Sequence, residues 1–186
     1  MSRVGVIVGS LRKGAFTRQM ARALPELAPP EMQLFDIEIG DLPLYNEDLE
    51  TADAPVQWTR FRQQVQSTDG ILFITPEYNR SIPGGLKNAL DVGSRPWGKS
   101  SWDGKPAAVV GQSPGLLGGM AAVHHLRQVM LAVNLAAMPH PEAYLPSVAG
   151  LFDAGGRLQS ASAREFMTGF LQAFQAWLTR FSTPSR

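Results

Sequence analysis

Three stretches of the chain combine residue types that bind small molecules, and each follows a short apolar run. The first is Gly9-Ser10-Leu11-Arg12-Lys13-Gly14-Ala15-Phe16-Thr17. Its glycines let backbone N–H groups approach an anion, and a following helix N-terminus adds positive potential. With the Ser10 and Thr17 hydroxyls and the Arg12 guanidinium, the loop can hold one phosphate monoester. Gly9-x4-Gly14 has the spacing of a triphosphate-binding loop, but Ala15-Phe16 stand where that motif needs Lys and Ser/Thr. The glycine spacing of a dinucleotide fingerprint is absent as well. The plainer reading of the same residues is an ordinary strand–helix turn.

The third stretch, Gly111-Gln112-Ser113-Pro114-Gly115, matches the G-x-S-x-G pattern of a nucleophile elbow. Two features argue against a serine hydrolase. The oxyanion hole of that fold uses the N–H after the serine, and Pro114 has none. The order Ser, acid, His also fails, because the last histidine, His140, precedes both Glu142 and Asp153. His124 and His125 are adjacent, so on a helix they point apart and cannot form an i, i+4 metal pair. No carboxylate cluster completes a metal site, and none is expected.

These loops need elements to position them. Val4–Val8, Gly70–Thr75 and Ala107–Gly111 are short apolar runs, Met32–Asp36 reads as a further short strand, and residues 134–138 are a fifth strand candidate. Helical spacing recurs over Met20–Leu27, Trp58–Val65 (opened by Asp53-Ala54-Pro55), Leu86–Val92 and Val123–Val133. Ser162-x-x-Glu165 reads as a capping box for a last helix with a Phe166, Phe170, Phe174, Trp177 stripe that belongs to the core. Residues 40–55 read as a long loop. Apolar strands alternating with helices imply a parallel sheet covered on both faces. The expectation is α/β: a flavodoxin-like, doubly wound five-stranded parallel sheet in a three-layer sandwich, one domain over 1–186. In such a sheet ligands sit beyond the carboxyl ends of the strands.

Composition narrows the classes. Seventeen Lys+Arg against sixteen Asp+Glu leave +1, so nothing calls for nucleic acid or an anionic membrane. No apolar run is long enough to span a bilayer. Cysteine is absent, which removes disulfides and thiolate chemistry. A cytoplasmic protein is expected. Residues 1–30 carry five basic residues against Glu26, whereas residues 31–59 hold eight acids and no Lys or Arg. This asymmetry fits solvated surface or an anion site near the N-terminus.

The second stretch is the most specific: Pro76-Glu77-Tyr78-Asn79-Arg80-Ser81-Ile82-Pro83-Gly84-Gly85-Leu86-Lys87-Asn88-Ala89-Leu90-Asp91. With Gly9–Gly14, and with Ser113-Pro114-Gly115 and Gly118-Gly119, it resembles the NADPH-dependent FMN reductase family, in its quinone and chromate reductase branch. The resemblance covers nearly the whole chain, with all three motifs in family order.

That resemblance implies FMN as cofactor and NADPH or NADH as donor. It places the FMN phosphate on Ser10, Arg12, Phe16 and Thr17, with Ala15 standing where the family commonly has serine. It carries the isoalloxazine wall to Pro76, Glu77, Tyr78 and Asn79, and the third flavin loop to Ser113 and Gly115. No side chain need act as acid or base, because the flavin N5 carries the chemistry. The implied reaction is ping-pong hydride transfer to quinones, chromate or another small electron acceptor. Arg80 is a candidate contact for NADPH phosphates or an anionic acceptor, with solvated surface as its plainer reading. The family implies a homodimer or homotetramer, and Trp97 and Trp102 are expected at that interface. An electron carrier of the same fold would need a docking face, which the near-neutral balance does not favour.

Overall fold

The computed structural model describes residues 1–182. Its sheet is wholly parallel. Strand β1 (Ser2–Val8) pairs with β2 (Met32–Asp36) on one side and β3 (Gly70–Pro76) on the other, and β4 (Pro106–Gln112) follows β3. The order is β2-β1-β3-β4-β5, so the direction of winding reverses between β1 and β3.

The fifth strand differs from the expected 134–138 segment. Only β5 (Ala136–Ala137) pairs with the start of β4, at Pro106 and Ala107. A second short piece, β6 (Ala143–Leu145), pairs with its end at Val110–Gln112. Pro139 and Pro141 lie in the residues between the two pieces.

Helices cover both faces: α1 (Phe16–Ala23) and α5 (Ala161–Thr179) on one, α2 (Val56–Gln66), α3 (Gly84–Gly93) and α4 (Met120–Ala132) on the other. Strand alternation feeds the two layers. Ala108 and Val110 pack with the α1/α5 core, and Ala107 and Val109 with the α2/α3/α4 core. Phe170 and Phe174 are fully buried in the first layer, whereas Phe166 stays exposed at the helix edge.

Three sequence expectations are corrected. Ser160, not Ser162, caps α5, accepting from the Ala163 N–H at 3.3 Å, because the helix begins two residues earlier than the capping-box pattern implied. Pro55 holds the N-cap position of α2, which no side chain caps, so Asp53 plays no part in it. Trp102 is no interface residue. It is 0% exposed, its Nε1 donates to the Leu90 carbonyl at 2.9 Å, and its ring lies against Phe61 and Phe73. Gly93 permits this, since a Cβ there would stand 2.5 Å from the indole. Trp97, by contrast, is 85% exposed and lies under the Arg95 guanidinium.

The 40–55 segment is a loop with one short 3-10 turn, Glu47–Leu49, yet it is firmly held. Asn88 accepts from the Tyr45 N–H and donates to the Leu42 and Pro43 carbonyls, and Trp58 Nε1 also reaches Pro43. Arg62 makes a two-bond pair with Glu50, both at 2.7 Å, and donates to Val92.

Candidate active site

The loops after β1, β3 and β4 meet at the carboxyl edge of the sheet and enclose a cavity of about 200 Å3. Its walls bring together Ser10, Arg12, Phe16 and Thr17 from the first loop, Pro76, Glu77 and Tyr78 from the second, and Ser113 from the third. Asn79, Arg80 and Gly115 lie outside this lining. Ala15, Gln112, Pro114 and Val148 complete it, and the sequence assigns a flavin contact to none of them. Gln112 had one available signal: it is a polar residue ending an otherwise apolar buried strand.

The first loop is poised for an anion. Helix α1 starts at Phe16 with Ala15 as its N-cap, and no side chain caps it. Arg18 N–H already donates to the Ala15 carbonyl, but the Phe16 and Thr17 N–H groups and the positive dipole end meet no side-chain acceptor there. Thr17 is 1% exposed and its Oγ1 has no hydrogen-bond partner. Ser10 is equally buried, and its hydroxyl contacts the Tyr78 hydroxyl at 3.1 Å.

The second loop is shaped by a tight turn. Tyr78 and Ser81 exchange both backbone hydrogen bonds at 2.9 Å, and Asn79 and Arg80 between them adopt φ of 51° and 67°. Such left-handed pairs are usual for Asn but cost a residue like Arg about 1 kcal/mol. Helix α4 holds the turn from outside. Glu77 Oε2 accepts from the Ala121 and Ala122 N–H groups at 3.0 and 3.4 Å, and the Ser81 hydroxyl meets His125 Nδ1 at 2.6 Å. Glu77 therefore neutralises the N-terminus of α4 while one side of it lines the cavity. Arg80 is largely solvent-exposed, 3.8 Å from Glu77.

The third loop passes close to β6. Ser113 N–H donates to Leu145, and Val148 N–H donates to Ser113. Gly118 and Gly119 take φ of 60° and 82°, and a Cβ on Gly118 would lie 2.7 Å from the Tyr144–Leu145 backbone. The Ser113 hydroxyl donates to the Gly115 carbonyl at 3.2 Å, while His125 is bonded to Ser81 and His124 contacts Tyr144 at 3.3 Å. Neither of these histidines is positioned as a base for Ser113. Burial, aided by Glu142, pushes the Tyr144 hydroxyl up to about 12, so it stays protonated.

Among the described residues, no three His, Asp or Glu side chains gather to hold a metal ion. A larger groove of about 420 Å3 lies along α1 and residues 153–164, away from the strand ends. Acidic partners already stand against two of its arginines: Asp153 at 2.9 Å from Arg157, and Glu26 at 3.4 Å from Arg164. It offers no comparable set of buried, unpaired donors facing one cavity.

The cavity suits a phosphate-bearing, partly flat ligand. An uncapped helix N-terminus, Arg12 and the Thr17 hydroxyl favour the anion, and Phe16, Pro76, Tyr78 and Pro114 supply apolar wall. Comparison with known proteins agrees. Residues 2–150 match the family model described as NADPH-dependent FMN reductase. A quinone reductase of Pseudomonas putida is 52% identical over 175 residues, covering 94% of each chain. A 2-hydroxy-1,4-benzoquinone reductase from a Burkholderia species is 43% identical over 176 residues, covering 95% of this chain and 96% of its own. Among solved structures, a flavoenzyme NAD(P)H:(acceptor) oxidoreductase from Paracoccus denitrificans superposes with a TM-score of 0.90 at 42% identity, covering 97% of this chain and 98% of its own.

Proposed function

The chain belongs to the NADPH-dependent FMN reductase family, and on that premise we propose that it is an FMN-dependent NAD(P)H:quinone oxidoreductase. The observation that carries this reading is the three-loop cavity, with a buried, unpartnered Thr17 hydroxyl beside the uncapped start of α1. These residues fit FMN: a phosphate needs donors and positive potential, and both stand free there.

Ser10, Arg12, Phe16 and Thr17 would hold the phosphate, and Pro76, Glu77, Tyr78 and Asn79 would border the ring with Ser113 and Gly115. Bound there, FMN supplies hydride transfer from NAD(P)H to the acceptor, with one substrate leaving before the other enters, which is ping-pong. The protein's own part is placement. The Tyr78–Ser10 contact ties the second loop to the first, and α4 fixes the 78–81 turn through Glu77 and Ser81. No side chain is assigned an acid or base role. Exposed Arg80 would attract an anionic donor or acceptor by long-range charge.

Quinones are the acceptor class that the relatives' names favour, with chromate and similar small acceptors as further substrates. The fuller reading is a one-domain cytoplasmic protein acting as a homodimer or homotetramer. The absence of cysteine suits a chain without disulfides, and exposed apolar residues such as Trp97 and Leu116 suit association.

The test is the visible spectrum of the purified protein before and after anaerobic NADPH. A flavin spectrum that bleaches supports the assignment, and a colourless protein that takes up no added FMN overturns it.

A further inference from the structure

Gln112 ends β4, is 1% exposed, and has neither a donor for its Oε1 nor an acceptor for its Nε2. Its backbone is fixed in the sheet opposite Pro76 and Leu145. Strand alternation sends its side chain to the α1/α5 layer, as for Ala108 and Val110, where it lines the same cavity as Thr17. A buried amide with both ends unpaired is costly to keep unless something satisfies it. The occupant must both donate and accept. Phosphate oxygens only accept, and would leave Oε1 unpaired. An apolar ring face offers neither, whereas a hydroxyl chain offers both, as does the N3–H and carbonyl edge of the ring, which lumiflavin retains and titration with it separates from the chain.

Resting on the FMN reading above, we propose that Gln112 anchors the ribityl chain of the flavin through its side-chain amide. The same residue then acts with opposite sign in the two states. Without flavin it is an uncompensated buried polar group that weakens the fold; with flavin it is a hydrogen-bonding partner.

The experiment uses the full chain stripped of flavin, titrated by fluorescence quenching with FMN, riboflavin (no phosphate) and lumiflavin (no ribityl chain). Wild type is compared with Gln112→Met, which keeps length and removes both hydrogen-bonding ends, and with Gln112→Leu as a second apolar variant. Thermal unfolding of the flavin-free proteins is measured alongside. The expected result is about tenfold weaker binding of FMN and riboflavin alike, on the scale of one lost buried hydrogen bond. Lumiflavin binding stays unchanged and the flavin-free Tm rises. Loss confined to FMN would assign the amide to the phosphate and overturn the proposal. Unchanged FMN and riboflavin binding, equal loss on lumiflavin, or a lowered flavin-free Tm in both variants would overturn it too. Failure of wild type to bind any of the three flavins would instead overturn the flavin reading itself.

Discussion

The hydroxyls of Tyr78 and Ser10, 68 residues apart in the chain, lie 3.1 Å from one another across the mouth of the cavity. The contact joins the loops that follow β1 and β3, the strands between which the winding reverses. Tyr78→Phe removes it while keeping the aromatic wall. The bond is made without flavin, so the flavin-free fold is expected to lose up to about 1 kcal/mol and affinity for FMN to fall by up to about fivefold as the two loops lose their tie. Titration of the flavin-free variant with FMN checks this, and wild-type affinity would show that the hydroxyl pair is incidental.

Ala15 occupies the N-cap of α1 and has no side-chain acceptor to offer the first turn. Ala15→Ser supplies the missing acceptor and should stabilise the flavin-free protein by about 1 kcal/mol. For a chain of this size that is a Tm rise of about 2–4 °C. No rise in the flavin-free protein would mean that this N-terminus is already satisfied by solvent.

Glu77 binds the first turn of α4 by its carboxylate, so charge and shape can be separated. Glu77→Gln keeps an acceptor and should cost about 0.5–1 kcal/mol through the lost charge–dipole attraction. Glu77→Ala removes the acceptor and should cost about 1–2 kcal/mol. Denaturant midpoints of the two variants give the comparison, and equal stability of both with wild type would remove Glu77 from the support of α4.

The Arg62–Glu50 pair is mostly buried, with side chains 11% and 16% exposed. Glu50→Gln leaves the guanidinium poorly paired and should destabilise by about 2–3 kcal/mol, somewhat below the cost at a fully buried site. Amide exchange should quicken selectively over residues 46–53, where Glu50 ties the loop to α2. A uniform change across the chain would contradict that local role.

At Gly118 both space and backbone conformation demand glycine. Gly118→Ala forces a left-handed alanine with its Cβ against the Tyr144–Leu145 backbone, for an expected loss of more than about 2 kcal/mol. The strain falls on the third loop, so FMN binding should weaken together with stability. A variant of wild-type Tm and affinity would refute the close approach of this loop to β6.

Much of this was legible in the sequence because it depends on neighbours along the chain. β-Branched runs ending in Gly or Pro located β1, β3 and β4, and alternation with helices gave the parallel, two-sided sheet. The three loops announced themselves by glycines, hydroxyls and the Pro-Glu-Tyr-Asn run. Local signals failed where competing partners decide. Two serines stood near the start of α5, and only the geometry of the first turn selects Ser160 over Ser162. Trp102 resembled an interface residue until Gly93 made room for it inside. The split of the last strand into β5 and β6 follows from how much of β4 each piece can reach. Above all, the sequence ended the fourth strand at Gly111 and gave Gln112, in the stretch that follows, no role of its own. Only the tertiary structure shows that Gln112 lines the same cavity as Thr17 with its amide buried and unpaired, because burial and hydrogen-bond satisfaction belong to the packed molecule and not to any stretch of its chain.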